Sequence, residues 1–274
     1  MPIYLARCIN GRIMKEMING TEIHYEISGK GESKILLLHG WGCDMNLMRP
    51  VSDALIQNHQ TLMIDFPGHG QSGKPPEPWG VPEYAACLEK LLEKLGFSPC
   101  SVIAHSFGCR VAAWLAASAP SLFNKIIFTG AAGIRPKQSE ESRKKSEKYK
   151  RLKGYCEAVK KIPFFSNTAE KLEDRLRKKY GSRDYNALDE EMRKTFVKVV
   201  SQDLSDLYPR FQASTLLIWG DADSETPLWM AKEMENRIPD AGLVILENGT
   251  HFAYLEQLQR FVTICRQFLK EDPS

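Results

Sequence analysis

Short apolar runs alternate with segments of helical periodicity along most of this chain. Unbroken apolar runs of strand length, bounded by turn residues, are typical of strands that are buried on both faces. Parallel strands need helical crossovers, so the alternation predicts an α/β fold with a mostly parallel central β-sheet flanked by helices. The predicted central strands are residues 35–38, 61–64, 100–104, 125–129, 215–219 and 243–246, and residues 21–27 alternate like an exposed edge strand.

The clearest predicted helix covers residues 82–95, which begin with proline, carry a leucine stripe and end before a glycine. The alternation stops between residues 135 and 208, where Lys and Arg are frequent and apolar residues recur only at helical spacing. We predict an inserted helical lid over residues 135–208, within an α/β core formed by residues 1–134 and 209–274. The basic opening of the lid fits a solvated helix face better than a site for anionic substrates. Residues 1–16 are interpreted as a loose extension.

The composition of the 274 residues excludes several classes of protein. With 43% hydrophobic residues the chain can bury a large core, and a formal net charge of +3 is too small and too dispersed to indicate a nucleic-acid partner. Its seven cysteines are scattered without a C-x-x-C pair, which fits a reducing cytoplasm and indicates neither a disulfide framework nor a metal site. No segment has the roughly 20 apolar residues of a membrane span, so we expect a cytoplasmic protein without membrane insertion.

The residues Ala104-His105-Ser106-Phe107-Gly108 lie between a predicted strand and an Ala-rich helical stretch. A serine on a sharp strand-to-helix turn has its hydroxyl forced towards solvent, and small residues two positions before and after it permit the tight turn. This context predicts a nucleophile elbow with Ser106 as the nucleophile. Because a serine hydroxyl is unreactive at neutral pH without a base, a histidine and an acid are expected later in the chain.

Two loops after predicted strands supply these partners. We predict Asp223, which follows residues 215–219, as the acid, and His251, which follows the last predicted strand, as the base. Two neighbouring carboxylates, Asp221 and Glu225, are interpreted as turn or cap residues, although spacing alone does not separate them from Asp223.

Two backbone N–H groups are candidates for stabilising an oxyanion. In the sequence His39-Gly40-Trp41-Gly42 the glycines allow a turn that directs the N–H of Trp41 to the place where a substrate oxyanion develops. The N–H of Phe107 begins the helix after the serine, where the helix dipole favours negative charge. We predict these two groups as the oxyanion donors.

The other polar residues in these motifs are interpreted as structural. Asp65 and His69 belong to the segment DFPGHGQS, which the chemistry of proline and glycine already explains as a rigid turn. Cys43, near the oxyanion loop, is interpreted as a small buried residue rather than a reactive thiol. Four further histidines are interpreted as packing or hydrogen-bonding residues rather than bases: His24, His39, His59 and His105.

Together these motifs resemble those of lid-bearing α/β-hydrolase fold proteins, over about residues 18–272. HGWG, DFPGHGQS and the serine elbow are similar to pimeloyl-ester carboxylesterases and to ring-cleavage C–C hydrolases, and WGDADSETP and GTHFAYLE match the acid and histidine loops of the family. The resemblance implies Ser106, Asp223 and His251 as a triad, with Trp41 and Phe107 as oxyanion donors. Ala104 departs from the commoner glycine, and its methyl group requires a slight opening of the packing.

The resemblance implies a serine hydrolase that cleaves a small carboxylic ester or related acyl substrate through an acyl-enzyme intermediate. Thioester, amide and C–C bond cleavage remain alternatives, as does a ligand-sensing protein with slow turnover. Serine at the elbow disfavours the dehalogenases and epoxide hydrolases of this fold, which use aspartate there. No cofactor or metal is implied, and we expect a monomer or homodimer that binds a small-molecule acyl substrate and no nucleic acid.

Some aromatic and basic residues of the predicted lid have two interpretations. They could line an acyl pocket or pack the small core of the lid itself, and we favour packing for each. These residues are Phe164, Phe165, Tyr180, Arg183, Tyr185 and Arg193.

Overall fold

The computed structural model describes residues 11–135, 140–160 and 166–270, and within them eight strands form one sheet. The strands are β1 (Arg12–Ile18), β2 (Thr21–Ser28), β3 (Ser33–Leu38), β4 (His59–Ile64), β5 (Cys100–His105), β6 (Phe123–Thr129), β7 (Ser214–Gly220) and β8 (Ala241–Leu246). The α-helices are α1 (Arg49–Leu55), α2 (Val81–Lys94), α3 (Phe107–Ser118), α4 (Glu140–Lys160), α5 (Ser166–Tyr180), α6 (Arg183–Ala187), α7 (Glu190–Ser201), α8 (Leu228–Arg237), α9 (Ala253–Glu256) and α10 (Leu258–Leu269).

The strands lie across the sheet in the order β1-β2-β4-β3-β5-β6-β7-β8. Neighbouring strands from β4 to β8 in this order are parallel, whereas β2 pairs antiparallel with both β1 and β4. Parallel neighbours cannot be joined by tight turns, and helices such as α2, α3 and α8 provide the crossovers. The predicted α/β fold with a mostly parallel sheet is therefore confirmed.

One edge of the sheet differs from the sequence prediction. β1 is the edge strand, so residues 12–16 belong to the sheet instead of a loose extension, and residues 21–27 belong to the internal strand β2. The alternation in β2 does not mark an exposed strand because its side chains His24 and Glu26 are buried against partners from other elements. The Glu26 carboxylate accepts two hydrogen bonds from Arg49, at 2.9 and 2.7 Å, and His24 Nδ1 lies 2.7 Å from an oxygen of Asp65.

The opposite edge also differs from the prediction. Residues 243–246, predicted as a central strand, belong to β8, which in the described sheet pairs with β7 alone. Most of its side chains are half-buried. An unbroken apolar run indicates that both faces of a strand are covered, but it carries no information on whether another strand follows.

The hydrophobic core lies on both faces of the sheet because successive residues of a strand point to opposite faces. Leu36 and Leu38 of β3 belong to a cluster with apolar residues of α2 and α3. Ile35 and Leu37 belong to a second cluster, with residues of α1 and α10. This double covering fixes the parallel strands, whose carboxyl ends emerge together at one edge of the sheet.

The chain divides into two compact units, one up to Ile134 and from Lys198 onwards, and one from Arg135 to Val197. In the second, helical unit α4 and α5 pack together, with the rings of Tyr149 and Tyr180 5.6 Å apart and Lys160 Nζ 2.5 Å from Glu173. Its action as a lid stays a prediction. None of the helices in the described parts of the chain is long and apolar enough to cross a membrane.

Candidate active site

Ser106 lies at the turn between β5 and α3. Its backbone has φ 51° and ψ −106°, a conformation that residues other than glycine rarely adopt and that stores strain. Two neighbouring segments hold the turn: the N–H of Ser106 donates to Thr129 O at 3.1 Å, and its carbonyl accepts from the N–H of Cys109 at 3.2 Å. The sharp turn lies at the carboxyl edge of the sheet, where β5 ends.

Small residues around the serine allow this turn. A Cβ atom placed on Gly108 would lie 2.7 Å from Leu38 Cβ and 2.8 Å from Leu38 O, too close for any side chain without a backbone shift. The N–H of Gly108 donates to His39 O at 3.1 Å, which joins the elbow to the loop after β3. Ala104, which departs from the commoner glycine, is fully buried in β5.

Asp223 lies in the loop after β7, and four donors surround its carboxylate. Oδ1 accepts from the N–H groups of Glu225 and Thr226, both at 2.9 Å, and Oδ2 accepts from Thr226 Oγ1 at 2.8 Å and pairs with His251 Nδ1 at 2.9 Å. Burial alone would raise the pKa of Asp223, but the hydrogen bonds from His251 and Thr226 hold that pKa below its ordinary value. The side chain is therefore an ionised acceptor fixed on His251.

His251 lies in the loop after β8. Because Nδ1 donates to the Asp223 carboxylate, Nε2 is left as the basic nitrogen. The ring packs beside Gly130, where an added Cβ would lie 3.0 Å from Nδ1, and its centroid is 4.7 Å from that of His105. His105 directly precedes Ser106, and Gly130 follows Thr129, whose carbonyl oxygen accepts the Ser106 N–H. The fold therefore brings the imidazole of His251, from the far end of the chain, close to the elbow.

The predicted oxyanion donors belong to the turn after β3 and to the start of α3. Cys43 N–H donates to Gly40 O at 3.2 Å and Gly42 has φ 71°, the features of a tight turn that requires glycine at its third position. A Cβ on Gly40 would lie 3.3 Å from Ser106 Cβ, so this turn passes directly beside Ser106. The rings of Trp41 and Phe107 are 5.1 Å apart, which places the two donor residues side by side.

The helix start determines what the N–H of Phe107 can do. The first N–H groups of a helix have no intrahelical acceptor. Those of Gly108 and Cys109 donate to His39 O and Ser106 O. Among the described hydrogen bonds, none uses the N–H of Phe107 at the amino end of α3. The helix dipole reinforces the attraction of this N–H for negative charge.

The residues interpreted as structural have structural bonds. His39 donates from Nδ1 to Gly40 O at 2.7 Å and accepts the Phe66 N–H on Nε2 at 3.0 Å; burial lowers its pKa. Asp65 accepts from the N–H groups of Met45 and Gln71, both at 2.8 Å. These bonds fix the loops after β3 and β4.

His69 lies among aromatic rings next to the predicted oxyanion donors. Its centroid is 4.7 Å from that of Trp41 and 6.0 Å from that of Phe107, and Nδ1 lies 3.1 Å from Pro67 O. Burial lowers the pKa of His69 to about 3, so the ring is neutral near neutral pH. A buried, neutral ring bonded to its own turn fits the structural interpretation.

The structure separates the three carboxylates that spacing could not. Asp221 and Glu225 are exposed, whereas Asp223 is buried against His251. His59, interpreted as a packing or hydrogen-bonding residue, is the first residue of β4, with Nδ1 2.5 Å from Ser33 Oγ. Cys43 is half-buried in the turn after β3.

Three residues of the site escaped the sequence interpretation as contributors. Thr226 donates to the Asp223 carboxylate through both its N–H and its hydroxyl. Aspartate side chains often accept from the backbone a few residues further on, so a turn of this Asx type after Asp223 was the signal in the sequence. Gly130 provides the space for the His251 ring, and His105 Nε2 lies 3.0 Å from His251 O. The last contact joins positions far apart in the chain, and no local pattern indicates it.

The aromatic and basic residues of the inserted unit have contacts within that unit. Tyr180 packs on Tyr149, and Tyr185 lies 6.3 Å from Phe196 with the guanidinium of Arg193 6.0 Å from its ring. Phe164 and Phe165 lie outside the described residues, and so does the side chain of Arg183. The favoured packing interpretation therefore has contacts to support it at Tyr180, Tyr185 and Arg193.

Within the described residues, no group of three or more His, Cys, Asp or Glu side chains could hold a metal ion. The site instead combines a strained serine, a carboxylate-bound imidazole and backbone donors.

Comparisons with known proteins agree with this architecture. The profile of the family described as "alpha/beta hydrolase fold" matches residues 34–258. The dihydrolipoyllysine-residue acetyltransferase component of the acetoin cleaving system of Pseudomonas putida is 23% identical over 90% of this chain, which spans 66% of that relative's length, just under two thirds. A 2-hydroxy-6-oxononadienedioate/2-hydroxy-6-oxononatrienedioate hydrolase of Burkholderia vietnamiensis is 25% identical over 92% of this chain and 93% of its own.

Among solved structures, an esterase from Exiguobacterium antarcticum has the same fold. Its TM-score is 0.70 at 22% identity, and the match covers 94% of this chain and 100% of the esterase.

Proposed function

Because the chain belongs to the α/β-hydrolase fold family, we propose that it is a serine hydrolase that cleaves a small carboxylic ester or a related acyl substrate. The family match over residues 34–258 confirms the family resemblance of the sequence motifs. In the proposal Ser106 is the nucleophile, His251 the general base, Asp223 the acid, and the N–H groups of Trp41 and Phe107 bind the oxyanion.

One observation supports the proposal above all others: a buried carboxylate holds the imidazole of His251 beside the strained turn of Ser106. Asp223 Oδ2 and His251 Nδ1 are 2.9 Å apart. The strained φ of 51° at Ser106 is maintained by its surroundings, and such strain concentrates at functional positions.

The proposed reaction has two acyl transfers. Ser106 Oγ attacks the substrate carbonyl carbon while its proton passes to His251 Nε2, and the two N–H groups stabilise the negative oxygen. His251 then gives the proton to the leaving alcohol oxygen, and an ester of Ser106 remains. Water attacks this ester, losing a proton to His251, and the acid is released as that proton returns to Ser106 Oγ.

C–C bond hydrolysis is the second candidate function. The relative from Burkholderia vietnamiensis that is named as a 2-hydroxy-6-oxononadienedioate hydrolase matches nearly the full length of both chains. The same serine, base and oxyanion donors would suit attack on a ketone carbonyl. Turnover of a 2-hydroxy-6-oxo-dienoic acid at a higher kcat/KM than that of any simple ester would favour this candidate.

The first experiment is hydrolysis of a chain-length series of p-nitrophenyl acyl esters by the purified protein, beside Ser106→Ala. Ser118→Ala is the matched control, because Ser118 lies at the end of α3 and its hydroxyl donates to Trp114 O. We expect turnover with a length preference in the wild type and the control, and none in Ser106→Ala. Labelling by a fluorophosphonate, mapped by mass spectrometry, should modify Ser106.

The outcomes separate the candidate functions. Equal turnover by wild type and Ser106→Ala would overturn the serine mechanism. Labelling of Ser106 without turnover of esters, thioesters, amides or diketo acids would favour a ligand-sensing role. We further propose a cytoplasmic monomer or homodimer, which fractionation and light scattering test.

A further inference from the structure

His105, the residue before Ser106, contacts two other loops of the site. Its side chain is buried, and its Nε2 lies 3.0 Å from the main-chain oxygen of His251. Because a carbonyl only accepts, Nε2 carries the proton and donates, which leaves Nδ1 as a bare acceptor. A Cβ placed on Gly40 would lie 2.8 Å from that Nδ1. One ring therefore touches both the oxyanion turn and the histidine loop.

The bonding of this ring is unusual for a residue that only fills space. Among the residues that the structure describes, Nδ1 has no hydrogen-bond partner although it is buried. A buried acceptor without a donor costs free energy that an apolar ring of similar size would avoid. The Nε2–H bond to His251 is the polar contact of the side chain that offsets this cost.

We propose that His105 is a positioning residue for the catalytic base. By holding the carbonyl of His251, it fixes the backbone from which the imidazole reaches Asp223 on one side and Ser106 on the other. This inference rests on the proposed function. A loop displaced by about 1 Å from a reactive geometry can lose about 10²-fold in rate, so the bond affects turnover more than substrate binding.

The neutral state of the His105 ring is consistent with the same positioning role. Burial and the neighbouring His251 lower the pKa of His105 to about 3. The ring centroids are 4.7 Å apart, and a positive His105 would oppose the charge that His251 acquires when it takes the serine proton. A neutral donor positions the base without this repulsion.

The test compares His105→Phe, which keeps the ring shape and removes the donor, with His105→Gln, which restores an N–H donor. We expect kcat of His105→Phe to fall about 10- to 100-fold with KM within about threefold, and His105→Gln to recover to within about fivefold of wild type. The low-field NMR proton of the Asp223–His251 hydrogen bond should weaken in His105→Phe and persist in His105→Gln.

His59→Phe is the control for loss of a histidine side chain, because His59 pairs with Ser33 at the start of β4, outside the proposed catalytic residues and the loops that carry them. It should lower the melting temperature with kcat changed less than about twofold. Wild-type kcat in His105→Phe, or a rise in KM alone, would overturn the positioning role. The proposed function fails in a different way, through a wild type that neither turns over esters nor labels at Ser106, and the NMR comparison needs no substrate.

Discussion

Polar side chains have opposite environments in two regions of the molecule: the loops at the carboxyl ends of the core strands, and the inserted unit. In the loops, Asp223, His39 and Asp65 are buried, and each has several named partners. Residues 135–197 hold more than half of the Lys and Arg of the chain but only about a third of its Asp and Glu, and most described charged side chains there are exposed. The loops therefore specify geometry, whereas the insert presents charge.

This difference bears on where reaction and selectivity reside. A hydrogen-bonded loop residue has one orientation, as catalysis requires, and its replacement disturbs several bonds at once. An exposed helix surface tolerates exchange, so it can vary while the chemistry is kept. We expect variants in the loops to affect turnover or stability strongly and variants in the insert to affect mainly the choice of substrate.

The largest effect is expected at the proposed triad. Ser106→Ala should lower kcat about 10⁶-fold and Asp223→Asn about 10⁴-fold, because the amide would hold His251 in the wrong tautomer. Both should fold, which circular dichroism checks. Burst and steady-state kinetics with the best p-nitrophenyl ester measure the loss. A loss of under tenfold in Asp223→Asn would mean that the buried loop network does not set the geometry of the base.

The second expectation concerns acid. Burial lowers the pKa of His69 and of His105 to about 3 in the folded protein, against about 6.5 in an unfolded chain. Between these values the unfolded state binds more protons, so each histidine lowers the free energy of unfolding by about 1.4 kcal/mol for every pH unit below 6.5. Urea unfolding at pH 7, 6 and 5 should show this decline.

The groups around the two rings are charged or titratable as well, namely His39 and Asp65 at His69, and His251, Asp223 and His39 at His105. His69→Gln provides the control, because it removes one of the two titrations and should flatten the decline. An unfolding free energy that stays level from pH 7 to pH 5 would show that these rings are protonated, and hence hydrated, in the folded state.

The sequence predicted what local chemistry determines. A strand, a serine between small residues and a helix are all within one short stretch, and the elbow followed from it. The sequence predicts Asp223 as the acid, but spacing alone does not separate it from Asp221 and Glu225. The contacts to Thr226 and His251 that distinguish Asp223 are provided by the fold. The histidine at position 105 bonds a carbonyl 146 residues away, and no local pattern encodes that distance.

The prediction of β2 as an exposed edge strand was wrong for a related reason. Alternating polar residues in β2 looked exposed, but Glu26 and His24 meet Arg49 and Asp65 from other elements. Amphipathic patterns indicate which side chains need polar surroundings. Whether water or a buried partner supplies them is decided by tertiary structure.

A third, smaller effect is expected at the elbow glycine. Gly108→Ala places a methyl group 2.7 Å from Leu38 Cβ and 2.8 Å from a backbone oxygen, so β3 or α3 must shift. We expect a loss of about 1–3 kcal/mol in unfolding free energy, together with reduced turnover. Gly154→Ala in α4, where an added Cβ meets nothing within 4 Å, is the matched control and should be neutral or stabilising. Equal stability of the two variants would contradict the tight fit of the loops.

The smallest effect is expected for removal of positive charge from the insert. It tests whether the basic residues there form a solvated helix face or a site for anionic substrates. Lys148 and Arg151 are exposed on α4, so the double variant to Gln should change the free energy of unfolding by less than about 0.5 kcal/mol. With neutral esters kcat/KM should also stay constant. An ester whose acyl group carries a carboxylate distinguishes a solvated face from an anion site. If the α4 residues form an anion site, the double variant should have a lower kcat/KM for this ester, and the loss should be smaller at high salt. If they form a solvated face, kcat/KM should stay constant.

Lys30→Gln with Lys232→Gln, two exposed lysines of the other unit, removes the same charge and controls for long-range attraction. If both double variants lose equally for the anionic ester, net charge is responsible and the insert has no special role. A loss confined to the α4 variant would assign selectivity to the insert, and the contrast between fixed loops and variable helices would then separate chemistry from substrate choice.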